Sequence, residues 1–233
     1  MKNFNELQTQ STHHTLFIAC VTALAVALTA GLPQPAHAEH VTPPDAPANI
    51  KVPAGAKAFL VGHATGTQNY VCLPCPNPST PPGTKCPGSG FVFMLFTPEA
   101  TLFGDNEKQI ITHYFSPNPE EGGTIRATWQ DSHDTSTVWA FATATATNSS
   151  DPTFVQPGAV AWLKLQVVGA QNGPIGSNKL TSTTFIQRVN TSGGLAPSAG
   201  CDSSADVGHQ AFVPYTADYV FYTGGESDTA GGN

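Results

Sequence analysis

The residues best equipped for chemistry fall into three sets: histidines with nearby carboxylates, aromatics, and cysteines. His63, His113 and His133 lie in or beside segments of strand character, and His133 belongs to the polar run Trp129-Gln130-Asp131-Ser132-His133-Asp134. Imidazoles that converge at the end of a sheet bind copper or zinc. His113, His133, Asp131 and Asp134 are therefore the candidate metal ligands, and Asp131 with Asp134 also forms a carboxylate pair of the kind used in glycoside chemistry. The plainer reading is favoured. An isolated histidine is usually one polar residue on a strand face or in a loop, and a link between two strands uses Asp and Ser for its turn geometry. No cofactor is thus expected, and copper or zinc belongs to the alternative reading.

Trp129, Trp139 and Trp162, with Tyr70, Tyr114, Tyr215 and Tyr219, would suit a stacking platform for sugars. Aromatics in alternating strands more often supply core, because each buries a large apolar area. Trp139 and Phe141, two apart on one strand face, read as core. Trp129 borders the polar run and is the candidate ligand-binding residue. Motifs of other chemistries are missing: there is no G-x-S-x-G elbow and no glycine-rich nucleotide or phosphate loop.

Four cysteines follow the N-terminal segment: Cys72, Cys75, Cys86 and Cys201. Four allow three pairings. Cys75 and Cys86 bracket the Pro-rich stretch PNPSTPPGTK, a loop with nothing apolar to anchor it, so a staple there is expected. That leaves Cys72, in a strand, to join Cys201 in a distant loop. Two readings compete with the disulfides: a redox Cys-x-x-Cys at Cys72 and Cys75, and a four-cysteine zinc site. Prolines follow the motif where a redox site would need a helix, and Pro76 in place of histidine excludes haem attachment.

The elements that must position these residues are strands. No segment after residue 38 keeps a helical apolar period. Alternation or short apolar runs appear at 57–64, 68–73, 90–96, 99–103, 109–115, 125–130, 137–147, 160–168, 180–189 and 215–222. Rich in Thr, Val, Phe, Tyr and Trp and separated by turn residues, they suit strands. The expectation is an all-β fold, a single antiparallel β-sandwich or β-barrel of about ten strands.

Residues 1–38 read as a signal peptide, with an apolar run from Thr15 to Leu32 and an Ala36-His37-Ala38 cleavage site. Residues 39–53 are a Pro-rich lead-in, 54–222 the β domain, and the Gly-rich 223–233 a disordered tail. Export favours disulfides over metal or redox use of the cysteines. The chain is expected to be secreted, periplasmic or extracellular, with no membrane attachment after cleavage. It holds 9 Lys+Arg against 16 Asp+Glu, a net charge of −7. Without a basic patch, nucleic acid is not an expected partner; a glycan or another extracellular surface is. Arg188, one of few basic residues, reads as structural, paired with Asp202 or Asp218.

Several segments resemble a known exported family. They are Pro98-Glu99-Ala100-Thr101-Leu102-Phe103, Thr112-His113-Tyr114-Phe115-Ser116-Pro117, Gly158-Ala159-Val160-Ala161-Trp162-Leu163, the run Phe185–Gly194 with Gly200-Cys201, and Val213-Pro214-Tyr215-Thr216-Ala217-Asp218-Tyr219. The ordered set is similar to the domain-of-unknown-function 3455 family of secreted bacterial and fungal proteins. The resemblance implies a signal peptide and a bridge matching Cys72 and Cys201, and it implies no activity. A malate dehydrogenase label carried by some fungal members finds no nucleotide-binding fingerprint here. The function expected is that of a secreted, disulfide-stabilised β domain with a binding or structural role; the alternative is an extracellular metal-binding protein or enzyme using the His/Asp cluster.

Overall fold

The computed structural model describes residues 41–76, 86–174 and 176–225. The expected signal peptide, the first two residues of the lead-in, most of the Pro-rich insert and the tail beyond 225 lie outside the described residues.

Eight antiparallel strands close into a barrel in sequence order. They are β1 (Lys57–Pro74), β2 (Phe91–Phe103), β3 (Gln109–Asn118), β4 (Thr124–Asp131), β5 (Thr137–Ala146), β6 (Trp162–Gln171), β7 (Phe185–Gly193) and β8 (Gln210–Thr223). β8 returns to pair along most of β1, from Lys57↔Thr223 to Val71↔Gln210, so the sheet has no open seam. Closure satisfies both outer strands, the usual hazard of an all-β chain.

The all-β expectation holds, and of its two forms the barrel is realised. Among the described residues the strand count is eight rather than ten, because β1 and β2 are each continuous through a residue that reads as a breaker. In β1 that residue is Gly66. A Cβ there would lie 2.1 Å from the Glu99 carbonyl oxygen, so glycine marks a close backbone approach within the strand. In β2 it is Pro98, which pairs with Gln68 of β1 but lies beyond Ala100, where the β2–β3 ladder ends. Proline is tolerated on such an edge stretch because no donor is missed there. β7 also differs from the expected 180–189. Residues 180–184 are a turn, in which the Thr183 N–H and hydroxyl both donate to the Leu180 carbonyl. Threonine's local hydrogen bonding competed successfully with its strand propensity.

Period-2 alternation sends Leu60, Ala64, Gln68 and Tyr70 of β1 inward, with Tyr215, Ala217, Tyr219 and Phe221 of β8 beside them. They join Leu102, Ile111, Trp129, Val138, Leu165 and Ile186 in the core inside the barrel. A second apolar cluster lies on the outer face, where Val189, Val220, Tyr222, Trp162 and Ala146 are covered by Ala46, Ile50 and Val155. The lead-in therefore packs on the barrel: Ile50 is fully buried, and its carbonyl accepts from Gln187 Nε2 at 2.7 Å.

Both expected disulfides form. Cys72–Cys201 ties β1 to the β7–β8 loop over 129 residues, and Cys75–Cys86 closes the Pro-rich loop over 11.

Candidate functional site

The barrel is stoppered at one end and hollow at the other. At the closed end Leu180, from the β6–β7 loop, is fully buried in the interior core. Its N–H donates to Ser136 Oγ at 3.2 Å, and the neighbouring Lys179 N–H donates to Asp134 Oδ2 at 3.0 Å. Asp131 Oδ1 accepts the N–H groups of His133 (2.8 Å) and Asp134 (3.0 Å), which fixes the β4–β5 turn. Burial pushes the Asp134 carboxyl up. The Lys179 N–H, the Ser136 N–H and hydroxyl and the Ser177 hydroxyl outweigh burial and hold it below the usual carboxylate range. The acidic pair thus clamps the stopper. It is buried, and Asp131 Oδ1 and both Asp134 oxygens already accept backbone N–H groups.

Beyond this floor a cavity of about 380 Å³ opens toward the other end. Leu163, Leu165, Val160, Ala140, Ala142 and Phe115 line its wall, and Tyr219, Trp129 and His113 form its base. Leu95, Ile125, Phe141 and Leu195 stand at the mouth with 37–56% of their surface exposed. The position of Phe141 corrects its reading as core. The pairing of β5 with β6 shifts on either side of it, between Trp139 and Ala140 and between Ala142 and Ala144, and breaks the simple alternation. Trp139 is buried as expected, with its Nε1 donating to Ser116 Oγ at 2.9 Å.

His113 and Trp129 are cross-strand partners on β3 and β4. Their rings stack at 4.3 Å and 11°, with the Tyr219 ring tilted against both. His113 Nδ1 donates to the Thr128 carbonyl at 2.9 Å. Burial, opposed by that bond and reinforced by the Arg188 charge, lowers its pKa to about 3. The imidazole is therefore neutral in ordinary buffers, and Nε2 is left as an acceptor. Two other lining residues carry buried donors: among the described residues Trp129 Nε1 has no acceptor, and Gln68 Nε2 lies beside Tyr215 without a well-formed hydrogen bond.

The cavity wall also carries charge. Arg188, on β7 between Leu163 and Tyr219 in register, faces inward. Its Nε and one Nη donate to the Ala161 carbonyl at 3.0 and 2.8 Å. The expected partnership with Asp202 or Asp218 does not occur. Asp218 lies on the outer face and accepts from His63 Nδ1 at 2.7 Å and Asn190 Nδ2 at 2.7 Å, while Asp202 Oδ2 accepts the Gly200 N–H. Strand parity explains the miss: Val189 pairs with Asp218 and Arg188 with Tyr219, so the two charges point to opposite faces. The other cation at the cavity, Arg126, is held by Glu121 in a two-pronged pair at 2.7 and 2.8 Å.

Of the residues singled out from sequence, the fold brings His113 and Trp129 together in the lumen. It places Asp131, His133 and Asp134 at the closed end. Among the described residues no group of three or more His, Cys, Asp or Glu side chains is placed to hold a metal ion.

A family model described as a protein of unknown function, DUF3455, matches residues 92–223, from the start of β2 to the end of β8. The chain belongs to this family. The matched region carries seven of the eight strands, the stacked His113–Trp129 pair and Arg188. No curated protein and no solved structure matches the chain.

Proposed function

We propose that this family member is an exported binding protein that carries a small, largely apolar molecule in the barrel lumen. The observation that supports this most is the cavity: about 380 Å³, closed at one end, walled by aliphatic and aromatic side chains and bearing a few polar groups. Ligand sites have this size and make-up, with apolar contact supplying affinity and sparse polar groups fixing orientation. Two disulfides support an oxidising compartment, as does the N-terminal segment that reads as a signal peptide.

Filling the mouth tests the proposal. Ala142 lines the cavity and is exposed, so a larger side chain fits there without disturbing the core. In calorimetric titration, 4-phenylbutanol should bind one-to-one to the wild type, and Ala142→Phe should abolish binding while the melting temperature holds. Unchanged binding to the variant would place the ligand elsewhere and defeat the proposal.

A further inference from the structure

The lumen carries a charge that its own walls do not neutralise. Arg188 is half-buried, lines the cavity, and has no carboxylate partner among the described residues. Its Nε and one Nη share a single acceptor, the Ala161 carbonyl; the other Nη makes no hydrogen bond to a described residue. Removing a charge from water is costly unless it is paired, and such charges in proteins are normally matched by a counter-charge. Among the described residues no acidic side chain lines the cavity. The protein as a whole carries a net charge of −7, so a positive lumen is not a by-product of a basic chain.

Arg126 is committed to Glu121, so among the described residues Arg188 supplies the cavity's unpaired cation. One half-buried guanidinium amid apolar walls matches one negative charge, whereas a doubly charged phosphate would call for more cations than the cavity holds. At about 30 Å³ for each water-sized unit, the space takes a molecule of about a dozen non-hydrogen atoms. With Trp129, Phe115, Phe141 and Tyr219 around it, an aromatic body is well accommodated.

We infer that the physiological ligand is a small monocarboxylate with an apolar, aromatic-compatible body, its carboxylate seated on Arg188 and its body in the lumen. This rests on the lumen-binding reading and adds the ligand's charge. The guanidinium is suited to the task because it presents paired donors to a planar carboxylate and keeps its charge at any relevant pH.

The test compares 4-phenylbutyrate with 4-phenylbutanol, matched in body and different in head group, by calorimetry at pH 7.5. The wild type should prefer the carboxylate by about tenfold or more, the range of a hydrogen bond to a charged group. Arg188→Met should erase that preference while retaining binding of the alcohol, and Arg188→Lys should keep part of it. The wild-type comparison stands even if Arg188→Met fails to fold. Equal affinities for the two probes in the wild type would overturn the inference and leave the lumen reading intact. Failure of both probes to bind, or binding of the carboxylate undiminished in Ala142→Phe, would overturn the lumen reading and the inference with it.

Discussion

His113 offers a sharp test of how dry the floor of the lumen is. Its ring is buried against Trp129, and its pKa falls from 6.5 to about 3. Because the folded pKa lies below the unfolded one, the unfolded chain takes up a proton first as pH drops. The stability contribution is therefore fully present above about pH 6.5 and is lost progressively as pH falls from there toward 3. At pH 5 the protein is about 1.5 units into that window. At about 1.4 kcal/mol per unit, His113 alone should cost the fold about 2 kcal/mol relative to pH 7. The perturbation is His113→Gln, whose amide keeps a donor for the Thr128 carbonyl and does not titrate. Urea unfolding of both proteins at pH 7 and pH 5, with the disulfides intact, gives the double difference, in which the carboxylates common to both cancel. The wild type should lose about 2 kcal/mol more than the variant between the two pH values. Equal losses would show that the imidazole protonates as readily in the barrel as in the unfolded chain. The floor would then be hydrated, and the reasoning from burial would fail.

The outer-face histidine should behave in the opposite sense. Both nitrogens of His63 meet carboxylate oxygens, Nε2 on Asp105 and Nδ1 on Asp218, so the ring donates twice only as an imidazolium; the bonds to Asp105 and then Asp218 raise its pKa above 6.5. Its contribution is complete below pH 6.5 and fades as pH rises through the raised value. His63→Gln should therefore lower the melting temperature more at pH 5.5 than at pH 9, and an equal drop at both would refute the ion pair. The disulfides should differ in worth. On the loop-entropy account, the bridge spanning 129 residues stabilises by about 5 kcal/mol and the one spanning 11 by about 3. Unfolding of the two paired Cys→Ser variants checks this, and a larger loss from opening Cys75–Cys86 would contradict it.

Sequence reasoning reached the fold class because alternation of apolar residues survives in most strands, as in Ile125-Arg126-Ala127-Thr128-Trp129. It split β1 and β2 because Gly66 and Pro98 signal breaks locally. Whether such a residue breaks a strand depends on which neighbour lies beside it, and that is a long-range fact. The cysteine pairing was legible because one loop needed a staple and only two cysteines then remained.

The candidate site was legible only in pieces. His113 and Trp129 stood out as residue types, but nothing local says they are adjacent: 15 residues of chain separate His113 from the Thr128 carbonyl that holds it. Asp131, His133 and Asp134 look like a chemical cluster in sequence. In the fold the two carboxylates spend themselves on backbone N–H groups at the stopper. Arg188 drew notice as a scarce cation, yet its role turned on a single residue of register, which directs it into the lumen and leaves Asp218 outside. The sequence by itself determined the all-β class, the bridges and the absence of familiar catalytic motifs, since these rest on local pattern and on chemistry along the chain. Only the tertiary structure decided that the barrel is hollow at one end and that a guanidinium without a carboxylate partner among the described residues lines the hollow. A cavity is space left between residues far apart in the chain, and closure of β8 on β1 creates it.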